Sequence, residues 1–244
     1  MSAPDTMPDT AMVMAAGLGK RMQPLTLSRP KPLVPVLGKP LIDHVLDRLV
    51  AQRVKRAVVN VHYKGDMLIA HLARRTDIEI VISDERGELL DTGGGTKRAL
   101  PLLGNKPFFY VNSDSIWVEG TAHALDRLAE GFDPMRHDAF LMMAPSVRAI
   151  GYDGLGDFTM DPWGALARRK PPRLAPFVWM GIQIMTPQLF ADTPDGAFST
   201  NLLWDKAAAK DRLFGMRFDG TWLHVGTPEG VSDAEAFLRD GLRA

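Results

Sequence analysis

The chain contains no cysteine. Disulfides, thiol nucleophiles and thiolate-held metals are thereby excluded. It has no net charge, because 29 Lys+Arg balance 29 Asp+Glu. The broad basic footprint that binds nucleic acid or an anionic membrane is missing, and neither is expected as a partner. No apolar run approaches the roughly 20 residues needed to span a bilayer. The opening stretch MSAPDTMPDT is polar, with two prolines, and lacks the basic and apolar regions of a secretory signal. These absences predict a cytoplasmic protein with a disordered lead-in over Met1–Thr10. The remainder is ordinary for a globular chain, 45% hydrophobic and 24% charged over 244 residues. That length has room for one large α/β domain, or a domain with a small lobe.

One stretch organises the rest. Ala11–Ala16 is a short apolar run with the character of a buried strand, and it breaks into Gly17-Leu18-Gly19-Lys20-Arg21-Met22. Arg29-Pro30-Lys31-Pro32 adds a second basic element. Glycines let backbone N–H groups come close to an anion, and Lys20, Arg21, Arg29 and Lys31 can neutralise it. A strand feeding a cationic glycine turn points to a polyanion such as a nucleoside triphosphate. The P-loop pattern is absent, and the dinucleotide fingerprint fails because Met22 stands where its third glycine belongs. Pro24, Pro30, Pro32 and Pro35 oppose immediate helix entry, so an extended loop over a ligand is expected.

The strings MAAGLGKRMQPLT and PKPLVPV resemble the signature of the sugar-phosphate nucleotidyltransferases, the nucleotide-sugar pyrophosphorylases. The resemblance implies a Rossmann-like α/β fold with a mixed, mainly parallel sheet flanked by helices and a small sugar-binding lobe. It implies a loop of Ala15, Ala16, Gly17, Gly19 and Lys20 around the triphosphate. Arg21 would contact the outgoing phosphates and Lys31 would lie by the α-phosphate.

Further along, alternating patterns predict a helix over Leu41–Ala51, a strand over Ala57–Val61, a helix over Gly65–Arg75 and a strand over Ile78–Ile82. His62 and His71 are expected to be partly buried polar groups rather than ligands. Gly93-Gly94-Gly95 frees the backbone to approach a flat ligand face, just before an expected helix at Thr96–Leu100. The resemblance gives Asp91, Gly93 and Gly94 to the nucleobase and sugar. Pro107–Val111 reads as a strand ending in Asn112-Ser113-Asp114. A carboxylate at the C-terminal end of a parallel strand suits Mg²⁺, which binds through one or two carboxylates and substrate phosphates. Asp114 is therefore the leading metal candidate, with Asn112 beside the nucleotide.

A helix is expected over Thr121–Glu130 and a strand over Ala139–Ala144. Glycines and prolines between Val147 and Pro176 predict a small antiparallel lobe. Arg168-Arg169-Lys170-Pro171-Pro172-Arg173 is either a solvated hairpin tip or a clamp for an acidic sugar phosphate. Trp163 and Trp179 are candidates for a sugar site or for the core. Phe177–Met185 and Phe214–Phe218 read as strands, Asn201–Ala209 and Asp233–Leu242 as helices. Residues 11–145 form the expected nucleotide half and residues 146–244 the sugar half.

Trp222-Leu223-His224-Val225-Gly226-Thr227-Pro228-Glu229 resembles a further element of the family, which carries a second metal-binding Asp where His224 stands. Mg²⁺ prefers oxygen over imidazole nitrogen. Four outcomes stay open: the metal held by Asp114 with phosphates and water, His224 as a ligand, His224 on a phosphate, or a neighbour such as Asp219 as a substitute. The implied reaction joins UTP and a sugar 1-phosphate such as N-acetylmuramate 1-phosphate, with Mg²⁺. GTP with mannose 1-phosphate is the alternative, and a non-catalytic nucleotide-sugar sensor is the reading from another class.

Overall fold

The computed structural model describes residues 7–241. Met1–Thr6 of the expected lead-in, and Leu242 of the expected last helix, lie outside the described residues. Asp9 and Thr10 are already tied to the sheet. The Asp9 carbonyl accepts from the N–H groups of Lys55 and Arg56 at 2.8 and 3.1 Å, and Thr10 opens the first strand.

The chain runs β1 (Thr10–Met14), three 3-10 turns (Lys20–Met22, Leu25–Leu27, Lys31–Leu33), a small hairpin of β2 (Pro35–Val36) and β3 (Lys39–Pro40), then α1 (Leu41–Ala51). Next come β4 (Arg56–Val61), α2 (Gly65–Leu72), β5 (Glu79–Asp84), α3 (Asp91–Leu103), β6 (Phe108–Asn112) and β7 (Ser115–Val118). The second half has α4 (Ala124–Gly131), β8 (Ala139–Pro145), β9 (Phe158–Met160), β10 (Leu166–Arg168) and β11 (Phe177–Met185). It ends with α5 (Thr200–Ala208), β12 (Leu213–Arg217), β13 (Thr221–His224) and α6 (Pro228–Gly241).

The first half builds parallel strands in the order β6-β1-β4-β5, as βαβ alternation requires. β11 adds antiparallel to β6, with Ile182 opposite Val111. β8 joins β11 antiparallel, and β12 joins β8 parallel. The β9–β10 ribbon continues from the start of β11, where Phe177 pairs with Phe158. The expected antiparallel lobe is therefore fused to the main mixed sheet of nine strands. The architecture is α/β and Rossmann-like.

Alternate residues of a strand face opposite sides. Ala11 and Val13 share one core with Val45 and Leu49 of α1 and with Leu68 of α2. Met12 belongs to the other core, with Leu103 of α3 and Leu203 of α5. Because both faces are covered, the central strands read as continuous apolar runs. A third cluster joins Met22, Val34 and Val36 of the glycine-loop region to Ile116, Leu223, Val225 and Ala234. This cluster seats the loop on β7, β13 and α6.

Helix α3 begins at Asp91 rather than at Thr96, and the glycine triplet lies inside it. A Cβ on Gly93 would come within 2.5 Å of the Phe198 ring, and one on Gly94 within 2.2 Å of the Gly196 carbonyl. A Cβ on Gly95 would come within 2.5 Å of Glu85 Oε1. The triplet serves close packing, which outweighs the poor helix propensity of glycine. Helix α6 also starts earlier than expected, at Pro228, a residue suited to the first helical position.

Overpacking of this kind costs about 1–3 kcal/mol. Gly94→Ala is expected to lower the melting temperature by about 2–12 °C, at about 2–4 °C per kcal/mol for a chain of this size. Gly87→Ala, with nothing within 4 Å of the added methyl, is expected to leave it unchanged. Thermal circular dichroism of the two variants decides. A wild-type midpoint for Gly94→Ala contradicts the packing role.

Candidate active site

The C-terminal ends of β1 and β6 open into a cleft of about 680 Å³. Its walls are the loop from Met14 to Met22, Lys31 and Pro32, the start of α3 at Asp91 and Thr92, and Asn112-Ser113-Asp114. Gly226 closes one side, and Asn60, Glu85 and Leu89 line another. A larger hollow, about 790 Å³, lies at the opposite end of the strands beside Met7, Lys55 and Lys106. The ligand edge of an open α/β sheet is the C-terminal end of its strands, which selects the smaller cleft.

The glycine loop is built as a turn, not a helix. Gly19 has φ +62°, a left-handed conformation natural to glycine. Its carbonyl accepts from Thr26 Oγ1 at 2.9 Å, and Lys31 Cβ lies 3.1 Å from where a Cβ would stand. Gly17 is exposed, and nothing lies within 4 Å of a Cβ there. Lys20 and Arg21 are exposed on the first 3-10 turn, at the cleft mouth.

Lys31 and Asp114, 83 residues apart in sequence, form a direct ion pair through Nζ and Oδ2. Burial pushes the Asp114 carboxyl up, but the charge and hydrogen bond of Lys31 outweigh it and hold the group below the usual carboxylate range. Asp114 is thus ionised at neutral pH. Ser115 Oγ donates to the Met180 carbonyl at 2.7 Å and fixes the turn after β6. Gly181, at φ +81°, makes room for this turn, since a Cβ there would meet Ser115 Oγ at 2.2 Å. Gly181 thus lets the β11 backbone approach the side chains of Ser115 and Asn112 closely.

β13 pairs antiparallel with β7 and puts His224 opposite Ser115, next in sequence to Asp114. The His224 ring lies edge-on to Tyr152 at 5.9 Å, and its Nε2 packs against Gly226. Burial holds the imidazole below the usual histidine range. Lys31 and Arg21 push the same way, against Asp114 and Asp153. His224 is therefore neutral at pH 7, able to donate or accept one hydrogen bond at each nitrogen.

Among the described residues no cluster of three or more His, Asp or Glu forms a metal cage. A Mg²⁺ ion fits Asp114 as a single protein carboxylate completed by phosphate oxygens and water. The nitrogen of His224 does not suit Mg²⁺. Asp219 is no substitute. It is taken by Thr121 Oγ1 and Arg127, each at 2.6 Å, beyond the Thr221 end of β13 and away from His224.

Ala15, Ala16, Gly17, Gly19, Lys20, Arg21, Lys31, Asp91, Asn112 and Asp114 all line this one cleft. Gly93 and Gly94 do not. They are buried beneath Phe198 and Gly196, and Asp91 and Thr92 present the start of α3 instead. The basic run is partly spent on the protein itself. Arg168 pairs with Asp205 at 2.7 Å, and Arg169 donates to the Gly156 carbonyl at 2.9 Å. Trp163 is 82% exposed, whereas Trp179 packs on Trp204 with ring centroids 4.8 Å apart. His62 bonds the Glu85 carbonyl and His71 bonds Asp43, both structural contacts. Asn60 and Glu85 escape the sequence reading, as do Leu89 and Thr92 on either side of Asp91. For Asn60 the available signal was a polar residue within the apolar strand Ala57–Val61.

A family model described as nucleotidyl transferase matches residues 10–152. The chain is 48% identical to N-acetylmuramate alpha-1-phosphate uridylyltransferase of Caulobacter vibrioides, over 96% of this chain and 98% of that protein. It is 30% identical to the protein of the same name from Neisseria meningitidis serogroup B, over 93% and 96% of the two chains. The crystal structure of HddC from Yersinia pseudotuberculosis complexed with GMP-PN superposes with a TM-score of 0.74 at 20% identity, covering 94% of this chain and 99% of that one. That likeness concerns the fold. With the model match spanning more than half of the chain and the Caulobacter relative matching nearly all of it, the chain belongs to the nucleotidyl transferase family.

Proposed function

We propose that the chain transfers the uridylyl group of UTP to N-acetylmuramate 1-phosphate and releases pyrophosphate. The observation that carries this reading is 48% identity along nearly the whole length to a relative of that name. The cleft supports the chemistry. A phosphate oxygen of the sugar 1-phosphate attacks the α-phosphorus, a new P–O bond forms, and the bond to the β-phosphate oxygen breaks. The nucleophile is already anionic, so no strong general base is required. Catalysis then rests on alignment and charge neutralisation.

Lys31 is held by Asp114 within the protein, which supports a preorganised charge for the α-phosphate. Arg21 and Lys20 at the cleft mouth suit the departing pyrophosphate. Asp91, Thr92 and Asn112 line the cleft and suit the nucleoside; neutral His224, behind the lining at Gly226, suits a phosphate oxygen. Asp114 would hold Mg²⁺, which supplies neutralisation of phosphate charge when bound. Residues 11–145 act as the nucleotide half and residues 146–244 as the acceptor half. Nucleoside triphosphate as donor places the reaction in the cytoplasm. Among the described residues, no helix is long and apolar enough to cross a membrane.

Lys31→Ala and Asp114→Ala are each expected to lower kcat by roughly 10²–10³-fold while cooperative unfolding persists. Steady-state assays beside thermal melts check this, and full turnover by folded Asp114→Ala refutes the assignment.

Pyrophosphate release with a panel of donors and acceptors tests the substrates. UTP with N-acetylmuramate 1-phosphate is expected to exceed UTP with N-acetylglucosamine 1-phosphate, and GTP with mannose 1-phosphate, by about tenfold or more in kcat/KM. Stabilisation by UTP without release from any pair would point to a binding protein instead.

A further inference from the structure

Behind the glycine loop lies a polar pair that the transfer chemistry does not use. Asn60 Oδ1, on β4, accepts from the N–H groups of Ala15 and Ala16 at 2.6 and 3.3 Å. Asn60 Nδ2 donates to Glu85 Oε1 at 2.8 Å. The Leu90 N–H reaches Glu85 Oε2 at 3.5 Å. Both side chains are out of solvent, Asn60 at 1% and Glu85 at 0% exposure. A carboxyl so deeply placed is costly unless every oxygen is satisfied. Burial raises its pKa, against the hydrogen bonds from Asn60 and Leu90 and the charge of Arg98.

The pair spans the cleft. On one side it grips Ala15 and Ala16, where the chain leaves β1. On the other it grips Leu90, just before α3, while Gly95 of α3 lies directly under Oε1. Both segments are walls of the same cleft. The carboxamide at position 60 accepts from two N–H groups through its oxygen and donates to the carboxylate through its nitrogen.

We propose that Asn60 and Glu85 are positioning residues that set the distance between the glycine loop and the start of α3, and through it the grip on the nucleoside. They act through the backbone of Ala15, Ala16 and Leu90 and leave the phosphates to Arg21 and Lys31. This rests on the nucleotidyl-transfer reading only in taking the ligand to be a nucleotide.

The polarity of the central hydrogen bond provides the test. Asn60→Asp sets two acceptors face to face, and Glu85→Gln turns one oxygen into a donor that meets a donor or leaves the Leu90 N–H without a partner. The double variant Asn60→Asp/Glu85→Gln restores the chain with its middle bond reversed. The carboxylate at position 60 still accepts from Ala15 and Ala16, and the carboxamide at position 85 donates to it and still accepts from Leu90. UTP affinity is measured by equilibrium dialysis, together with KM for UTP, KM for the acceptor and the melting temperature.

Each single change is expected to weaken UTP binding about tenfold or more, with acceptor KM within about twofold. The double is expected to recover to within about threefold of wild type. Wild-type UTP affinity in the singles overturns the proposal. So does a double no better than the worse single, or an equal loss in both substrates that tracks the melting temperature. If Asn60→Asp does not fold, Glu85→Gln and the double still decide. A wild-type chain that binds no UTP sinks the function and this inference together. Wild-type binding unchanged in every variant sinks the inference alone.

Discussion

The cleft depends on the pairing of Lys31 with Asp114. The two residues come from distant parts of the sequence but from the same edge of the sheet, one from the proline-framed third turn of the loop after β1, the other from the turn after the neighbouring strand β6. Neither side chain is fully buried, at 14% and 27% exposure, so the pair adds little to stability. Its value is electrostatic order. A cation and an anion are fixed next to each other in a narrow space by the fold itself. The prolines on either side of Lys31 restrict its backbone and lower the entropy lost in holding that geometry.

Around this pair, glycine is used in three physically distinct ways. Gly19 supplies a left-handed turn, with Thr26 and Lys31 against it. Gly17 leaves open space on the cleft side of the loop. Gly93, Gly94 and Gly95 let α3 approach Phe198, Gly196 and Glu85 more closely than any side chain would permit. A string of glycines reads the same in each case, and only the neighbours tell the uses apart.

That explains which parts of the molecule were legible in the sequence. The strand β11 and the helix α1 have the bounds that their apolar periodicity predicts, since burial on one face or on both writes itself into the pattern. Lys20, Arg21, Lys31, Asn112 and Asp114 were readable from residue type and position at strand ends, and they do share one cleft, whereas Arg29 does not line it. The glycine triplet misled, because packing against a distant segment leaves the same local mark as ligand approach. Asn60 and Glu85 were missed because their partnership joins β4 to the end of β5, and a single sequence carries no direct trace of it. The engagement of Arg168 by Asp205 was hidden for the same reason.

The two-stranded ladder of β7 with β13 has a consequence for synthesis of the protein. Met22, Val34 and Val36, close to the chain's beginning, find their apolar floor in Leu223, Val225 and Ala234. His224 and Gly226 arrive with that same late segment. A nascent chain that has reached β7 therefore carries a glycine loop with Leu41 and Ile116 against it but without Leu223, Val225 and Ala234. The packing of the glycine loop is therefore completed only when β13 and α6 fold back onto β7, and a chain that lacks them leaves that loop incompletely seated.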